Sequence, residues 1–377
     1  MIYLDNAATG GRKPDEVVSA VTSALRVCAN PGRSGHKLSL SCANLVQVSR
    51  SVLSDFFGGY GFDRVVFTKN CTEALNIALF GVLQKGDHVV TTCMEHNSVL
   101  RPLEYLQKRG VITYDVCPLS DEPTYKGNIC PTDVLSLIKP NTKMVVVTTA
   151  SNVTGISPPL EEIRAVIPKE VLLLCDGAQG AGHLPIDLKK MGIDLFTVAG
   201  HKGMQAMQGS GALLFSERIE PTPLLYGGTG SMSISLDMPD FYPDGLEAGT
   251  ISYPAVISLL EGARYLTAYK KRICARIFML TEILCKGLKK LTNYTLYSEP
   301  NACGIVAFSH CHLPSEQIAD ALSSEFNIAV RGGLHCAPLM HEALSTLDGG
   351  LLRVSFSHFN SETEIVELLS ALKKIDA

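Results

Sequence analysis

A lysine flanked by glycines closes an apolar segment, in Ala199-Gly200-His201-Lys202-Gly203. Burying an ammonium is costly. Desolvation lowers a lysine's pKa and leaves a nucleophilic amine, which suits Schiff-base chemistry. Upstream, Asp176 ends the apolar run 171–175 and opens Asp176-Gly177-Ala178-Gln179. An acid at the carboxyl end of a parallel strand lies where open α/β sheets bind ligands. A lysine and an acid on successive strand ends suit pyridoxal phosphate, whose pyridine nitrogen must stay protonated for the ring to draw electrons. Two more strand ends carry candidates. Lys69-Asn70-Cys71-Thr72-Glu73-Ala74 opens a helix whose free N–H groups and Thr72 hydroxyl suit a phosphate. In Met94-Glu95-His96-Asn97-Ser98, His96 is placed to lie flat on a cofactor ring. Each residue also has a plain reading: loop lysine, helix-capping Asp, Thr N-cap, loop histidine. Their recurrence at successive strand ends favours a site.

Short apolar runs at 64–68, 88–93, 111–116, 144–149, 171–176, 194–199 and 211–216 read as strands. Most lack polar alternation, as strands buried on both faces do. Helical patterns lie between and before them, at 14–26, 72–83, 98–108 and 160–167. The first places Val17, Val18, Val21, Ala24 and Leu25 on one face. The alternation predicts an α/β fold with a mainly parallel seven-stranded sheet and helices on both faces. Residues 221–254 are rich in Gly, Pro, Ser and Thr and read as an irregular excursion. A long helical region follows at 255–291, then strands near 304–309 and 351–356 and helices at 314–325 and 361–374, a smaller α+β lobe. The expected division is a large cofactor domain at 15–255 and a small domain made of 1–14 and 256–377.

Hydrophobic residues make up 46% of the 377 and charged residues 19%, an ordinary globular balance. The net charge of −4 gives no electrostatic footprint for nucleic acid or an anionic membrane. No apolar run approaches the roughly 20 residues that span a bilayer, and residues 1–8 do not read as a signal peptide. Twelve cysteines are scattered without a Cys-x-x-Cys pair, many in apolar segments. Most of them read as buried thiols in a reducing cytoplasm.

The ordered set of motifs resembles the class V, fold-type I pyridoxal phosphate enzymes, and within them the cysteine desulfurase and selenocysteine lyase family. The resemblance spans nearly the whole chain. It runs from Tyr3-Leu4-Asp5-Asn6-Ala7-Ala8-Thr9 through Arg33-Ser34-Gly35-His36, the Thr72 turn, His96 and Ser151-Asn152-Val153-Thr154-Gly155. It continues through 176–179, His201-Lys202 and Glu247-Ala248-Gly249-Thr250 to Arg331-Gly332-Gly333-Leu334-His335-Cys336 and Arg353. The resemblance implies that Lys202 is the Schiff-base lysine, Asp176 pairs with the pyridine nitrogen and Gln179 bonds the ring oxygen. It implies that His96 stacks on the ring, Asn152 meets its edge, and Thr72, Cys71 and His201 hold the phosphate. Thr250 would reach the cofactor of a second subunit, implying a homodimer. Arg353 would bind the substrate carboxylate, with Arg33, His36 and Asn152 also on the substrate side. A guanidinium fork suits a carboxylate.

By the same resemblance Cys336 is the sulfur acceptor, on a short segment like that of the group II branch, where a nearby cation would lower its pKa. The implied reaction takes L-cysteine (or L-selenocysteine) to L-alanine, leaves a persulfide on Cys336 and passes the sulfur to an acceptor protein, with His96 as proton relay. The chain departs from the family pattern at Ala199, usually Ser or Thr, at Lys69-Asn70-Cys71, usually Arg-Gly-Thr, and in the loops 203–209 and 227–231. The missing hydroxyl implies weaker phosphate binding or compensation by Cys71, Thr250 or water. Three rivals remain on sequence alone: a class V aminotransferase or β-lyase acting on another amino acid, a nucleotide-binding protein, and a non-catalytic binding protein on the same fold. The second is disfavoured because Gly-x-Gly-x-x-Gly is absent after the first strand.

Overall fold

The computed structural model describes residues 1–376. In chain order the regular elements are β1 (Ile2–Tyr3), α1 (Asp15–Arg26), α2 (Lys37–Phe56), β2 (Val65–Thr68), α3 (Cys71–Val82), β3 (Asp87–Thr92), α4 (Asn97–Lys108) and β4 (Ile112–Cys117). Next come α5 (Pro131–Ser136), β5 (Thr142–Thr148), α6 (Leu160–Val166), β6 (Leu172–Asp176), α7 (Leu188–Met191), β7 (Leu195–Ala199) and β8 (Gly211–Phe215). The chain ends with α8 (Tyr253–Leu288), β9 (Tyr294–Leu296), β10 (Ile305–His310), α9 (Ser315–Phe326), β11 (Ile328–Ala329), α10 (Pro338–Ala343), β12 (Leu352–Ser355) and α11 (Glu362–Ile375).

The seven strands read from the sequence form one sheet in the order β2-β8-β7-β6-β5-β3-β4. Only β8 runs against its neighbours. Both faces are covered. Val145, Val147, Leu173 and Cys175 point into one hydrophobic core, whereas Met144, Val146, Leu172 and Leu174 point into another. That explains the missing polar alternation: each side chain of a doubly covered strand meets a helix.

The short helices α5, α7 and α10 are absent from the sequence reading, and two of the longer helices also differ from it. On α1 the inner face is Val17 and Ala24, while Val18 and Leu25 are 51% and 66% exposed. The whole of α2 escaped the periodicity because its buried face carries Ser39, Cys42, Ser49, Arg50 and Ser54 alongside Val46 and Leu53. Small and polar residues dilute the apolar stripe on which that reading depends.

A two-stranded pair, β1-β11, and an antiparallel sheet, β12-β10-β9, form the smaller lobe. The N-terminus belongs to it: Leu4 shares a core with Val306, Leu352 and Leu368. The 36-residue helix α8 joins the two cores. Its residues up to Ile277 pack with the large sheet, and from Leu280 onward they pack in the small lobe. Residues 221–252 hold one short 3-10 turn, Asp244–Leu246, and leave Ile234 and Leu236 fully exposed. Among the described residues, no helix is long and apolar enough to cross a membrane.

One buried ion pair fastens the end of that excursion. Arg50 of α2 makes a two-pronged contact with Glu247, 2.7 and 2.6 Å, and stacks on the Phe67 ring at 4.6 Å. Glu247 also accepts the Phe67 N–H at 2.6 Å. Removing one member of a buried pair strands the other charge. Glu247→Ala should therefore destabilise the protein by about 3–5 kcal/mol, seen as an earlier urea midpoint. Adding Arg50→Met to that variant should recover most of the loss. A single variant as stable as wild type would show that the pair carries no net stability.

Candidate active site

The carboxyl ends of β2, β3, β5, β6 and β7 converge on a cavity of about 240 Å³. Its wall holds Cys71, Thr72, His96, Asn152, Asp176, Gln179, His201, Lys202 and Arg353, together with Ser98 and Arg331. Eight of the residues singled out in the sequence are thus brought to one place by five strand ends, and β12 of the small lobe adds Arg353 as the ninth.

Lys202 follows β7, and the glycines beside it are demanded by packing. A Cβ on Gly200 would sit 2.0 Å from the Ser210 hydroxyl, and one on Gly203 would sit 2.3 Å from the Ala181 carbonyl. The Lys202 amine has its pKa lowered, first by loss of water. Asp176 opposes this and Arg353 adds to it. Asp176, 2% exposed, accepts the Ala178 N–H at 2.8 Å and the Cys71 thiol at 3.3 Å, both on Oδ1.

At the start of α3, Asn70 caps the helix by accepting the Glu73 N–H at 2.9 Å. The N–H groups of Cys71 and Thr72 are then the first two of the helix, which have no intrahelical acceptor and suit an anion. Cys71 aims its sulfur at Asp176, so toward an anion at this helix end it offers only its backbone N–H. The thiol does not replace the hydroxyl absent at Ala199, and Thr250 lies outside this chain's own cavity.

His96 caps α4, its Nδ1 accepting the Ser98 N–H at 3.0 Å. The proton therefore sits on Nε2. Desolvation, then the Lys202 charge, pulls the His96 pKa down to about 4, so the ring is neutral at ordinary pH. Ser98 Oγ lies 2.9 Å from Thr72 Oγ1 and 2.9 Å from His96 Nδ1, which ties the two helix ends together. His201 is likewise neutral, its pKa pulled to about 4 by burial and by Lys202 and Lys13. Its Nδ1 meets Thr9 Oγ1 at 3.1 Å, and Lys13 donates to its carbonyl at 2.7 Å.

Arg353 is 1% exposed. It donates to Asp5 at 2.9 Å and to the Asn152 carbonyl at 3.0 Å, and its Nε is buried without a partner. Asn152 donates to the His335 carbonyl at 2.8 Å, and Gln179 donates to the Ala7 carbonyl at 3.0 Å. An amide nitrogen carries two protons, so each keeps a second donor.

Cys336 lies in a neighbouring groove that shares Thr72, His96 and Ser98 with the cavity. It is exposed and follows His335, both with left-handed backbone at φ +58° and +50°. Its carbonyl accepts the Asn97 N–H at 2.7 Å. The cation beside its sulfur is Arg331, 4.0 Å away. His335 is not that cation. It is buried on the Leu351 carbonyl at 3.0 Å, and burial with two arginines drives its pKa to about 2.

Three sequence candidates lie outside both the cavity and the groove. His36 caps α2 through Ser39, Arg33 donates to the carbonyls of Gly228 and Gly249 at 3.0 and 2.7 Å, and Thr250 is exposed. Sequence reasoning also passed over Asp5, Ser98 and Glu95. Asp5 stands in the opening motif and Ser98 at a helix start. Nothing in the sequence marked Glu95 as buried.

The donor set fits pyridoxal phosphate. It offers an amine for a carbonyl carbon, a buried carboxylate for the pyridine nitrogen, a helix N-terminus for the phosphate and an unsatisfied guanidinium N–H for a carboxylate. Such a set at the carboxyl edge of this sheet defines a fold-type I pyridoxal phosphate enzyme. The chain belongs to the aminotransferase class-V family, whose model matches residues 2–368. It is 32% identical to a probable cysteine desulfurase of Methanothermobacter thermautotrophicus over 99% of this chain and 94% of that protein. It is also 32% identical to one from Pyrococcus abyssi, over 100% and 94%. A cysteine desulfurase structure from Thermococcus onnurineus superposes with a TM-score of 0.88 at 31% identity, covering 99% of this chain and 94% of that one. One from Escherichia coli gives 0.87 at 26%, with the same coverages.

Beneath His96, Glu95 is fully buried. Its Oε1 accepts the Thr92 hydroxyl at 2.7 Å and the Thr148 N–H at 2.8 Å, while its Oε2 has no partner. Burial raises its pKa to about 8. Below the unfolded carboxyl range both states hold the proton and its stabilisation is complete. As pH rises toward 8 only the folded state holds it, so stability falls, by up to ~1.4 kcal/mol per pH unit. Glu95→Gln stays neutral throughout. The difference in unfolding free energy should therefore shift in the variant's favour between pH 5 and 8, as urea titrations at several pH values would read. A constant difference would show Glu95 ionised throughout.

Proposed function

We propose that this chain is a pyridoxal-phosphate-dependent cysteine desulfurase that converts L-cysteine to L-alanine and leaves the sulfur as a persulfide on Cys336. The observation that carries the reading is the placement of an exposed thiol, with Arg331 at 4.0 Å, in the groove next to the Lys202 cavity. The names of the relatives support it. When bound, pyridoxal phosphate supplies the electron sink for charge released at the substrate α-carbon. Arg353 holds the substrate carboxylate through its free Nε. Lys202, whose amine is desolvated, takes the α-proton and later returns a proton to carbon. His96, neutral with its proton on Nε2, relays a proton at the groove side. The Cys336 thiolate attacks the substrate sulfur. An S–S bond forms, the C–S bond breaks, and its electron pair goes to the carbon, which is protonated to give alanine. L-selenocysteine presents the same groups and is the alternative substrate, and an acceptor protein removes the sulfur. The twelve unpaired cysteines suit the reducing cytoplasm.

Lys202→Ala should lose the covalent link to pyridoxal phosphate, so that borohydride no longer fixes the cofactor to the protein, and should have no turnover. Cys336→Ser should still show a spectral change on adding L-cysteine but release almost no alanine. Mass spectrometry of wild type after L-cysteine should find added sulfur on the Cys336 peptide. Full desulfurase activity in Cys336→Ser would sink the sulfur-acceptor role and leave an aminotransferase or lyase of this family.

The active form is a homodimer with composite sites. Thr250, Arg33 and His36 lie outside this chain's own cavity, and the excursion that carries Thr250 exposes Tyr226, Ile234 and Leu236. An apolar segment so exposed fits an interface. Sedimentation should give a dimer, and Ile234→Asp with Leu236→Asp should weaken it. A fully active wild-type monomer would refute the composite site.

A further inference from the structure

We infer that Cys71 is a positioning residue for the cofactor-binding acid: its thiol, held by Thr197, clamps Asp176 Oδ1 and leaves Oδ2 for the pyridine nitrogen. The inference rests on the pyridoxal phosphate reading of this cavity.

Cys71 is the first residue of α3 and is 7% exposed. Its Sγ lies 3.3 Å from Asp176 Oδ1 and 3.2 Å from Thr197 Oγ1. A thiol has one proton, so the two contacts cannot both be donated by sulfur. Asp176 is an acceptor only when ionised, so the thiol donates to Asp176 and the Thr197 hydroxyl donates to sulfur. Burial and the Asp176 charge push the thiol pKa well up, which keeps that proton on sulfur.

The chain Thr197, Cys71, Asp176 links three elements, β7, α3 and β6, at one carboxylate oxygen. The Ala178 N–H completes Oδ1 at 2.8 Å. No side-chain or N–H donor of the protein reaches Oδ2 among the described residues, and Lys202 makes no ion pair with it. Two consequences follow. The carboxylate cannot swing, because Oδ1 is held from two sides. The second is that the fixed carboxylate leaves Oδ2 as the oxygen free to accept a hydrogen bond from the pyridine nitrogen.

The test compares Cys71→Ser, which keeps a donor, with Cys71→Ala and Cys71→Val, which do not, Val keeping most of the volume. Cofactor-free protein is titrated with pyridoxal phosphate by fluorescence, and kcat and KM for L-cysteine are measured separately. Thermal unfolding of each cofactor-free variant confirms that it is folded. The expected result is that Ser binds the cofactor within about twofold of wild type, while Ala and Val bind it roughly five- to tenfold more weakly, the loss of one ordinary hydrogen bond, as suits a weak thiol donor. The kcat of Ala and Val should fall with KM little changed. Wild-type affinity and kcat in Cys71→Val would overturn the inference and leave a thiol that only fills space. So would a Ser variant as weak as Ala, since the donor would then not matter. Failure of wild type itself to take up pyridoxal phosphate would instead overturn the reading of the cavity on which this rests.

Discussion

The rest of the structure depends on keeping Lys202, Asp176 and Arg353 charged or chargeable around one small cavity where water is scarce. Each is expensive to bury alone. Arg353 is neutralised from behind by Asp5 at 2.9 Å, which requires the N-terminal segment to return across the small lobe beside β12. Asp176 is held through Oδ1 by the Ala178 N–H and the Cys71 thiol. Lys202 receives no ion pair of its own, and its amine is accordingly the group that desolvation unsettles most usefully. The fold can thus be read as a frame that supplies Asp176 and Arg353 with partners from other elements and leaves Lys202 without one.

The neutral groups follow from the same constraint. His96 and His201 lie close to Lys202, and a second positive charge there would be opposed by both burial and repulsion, so both rings stay uncharged. A neutral imidazole with a fixed tautomer can both give and take a proton, whereas an imidazolium can only give one. The Ser98 hydroxyl then serves two helix starts at once, joining Thr72 of α3 to His96 of α4.

Much of this was legible in the sequence because catalytic residues of an α/β sheet must follow strand ends, and buried parallel strands are conspicuous as unbroken apolar runs. Asp176, Lys202, His96 and Thr72 could be placed from that rule alone. Arg353 could not. Its own strand shows only that an arginine occurs there, and its role as a buried residue rests on Asp5, far away in the chain. The helix α2 was missed because serines and an arginine occupy its inner face, the arginine being buried on Glu247 across the large lobe. The sulfur of Cys71 turned toward Asp176 rather than the helix end for a reason that lies in three dimensions: Thr197 of the neighbouring strand fills its other side.

Twelve thiols raise the question of how one could be singled out for sulfur. Burial answers most of it. Cys93, Cys117 and Cys303 have their pKa pushed up to about 12, Cys285 to about 11, and Cys71 and Cys175 well above the ordinary value. The thiolate is the nucleophile, so these sulfurs are inert at neutral pH whatever their distance from substrate. Cys28, Cys311 and Cys336 are the exposed ones. Neither Cys28 nor Cys311 borders the cavity or the groove beside it, whereas Cys336 stands in that groove with His96. The two left-handed residues, His335 and Cys336, are uncommon outside glycine and carry a local cost. That cost is offset by anchors on both sides: the Cys336 carbonyl takes the Asn97 N–H, and His335 is pinned through its side chain to Leu351 and through its carbonyl to Asn152. The backbone is therefore fixed firmly at the point where the side chain is left free, which is the arrangement a sulfur-carrying thiol needs if it is to meet substrate on one side and an acceptor on the other.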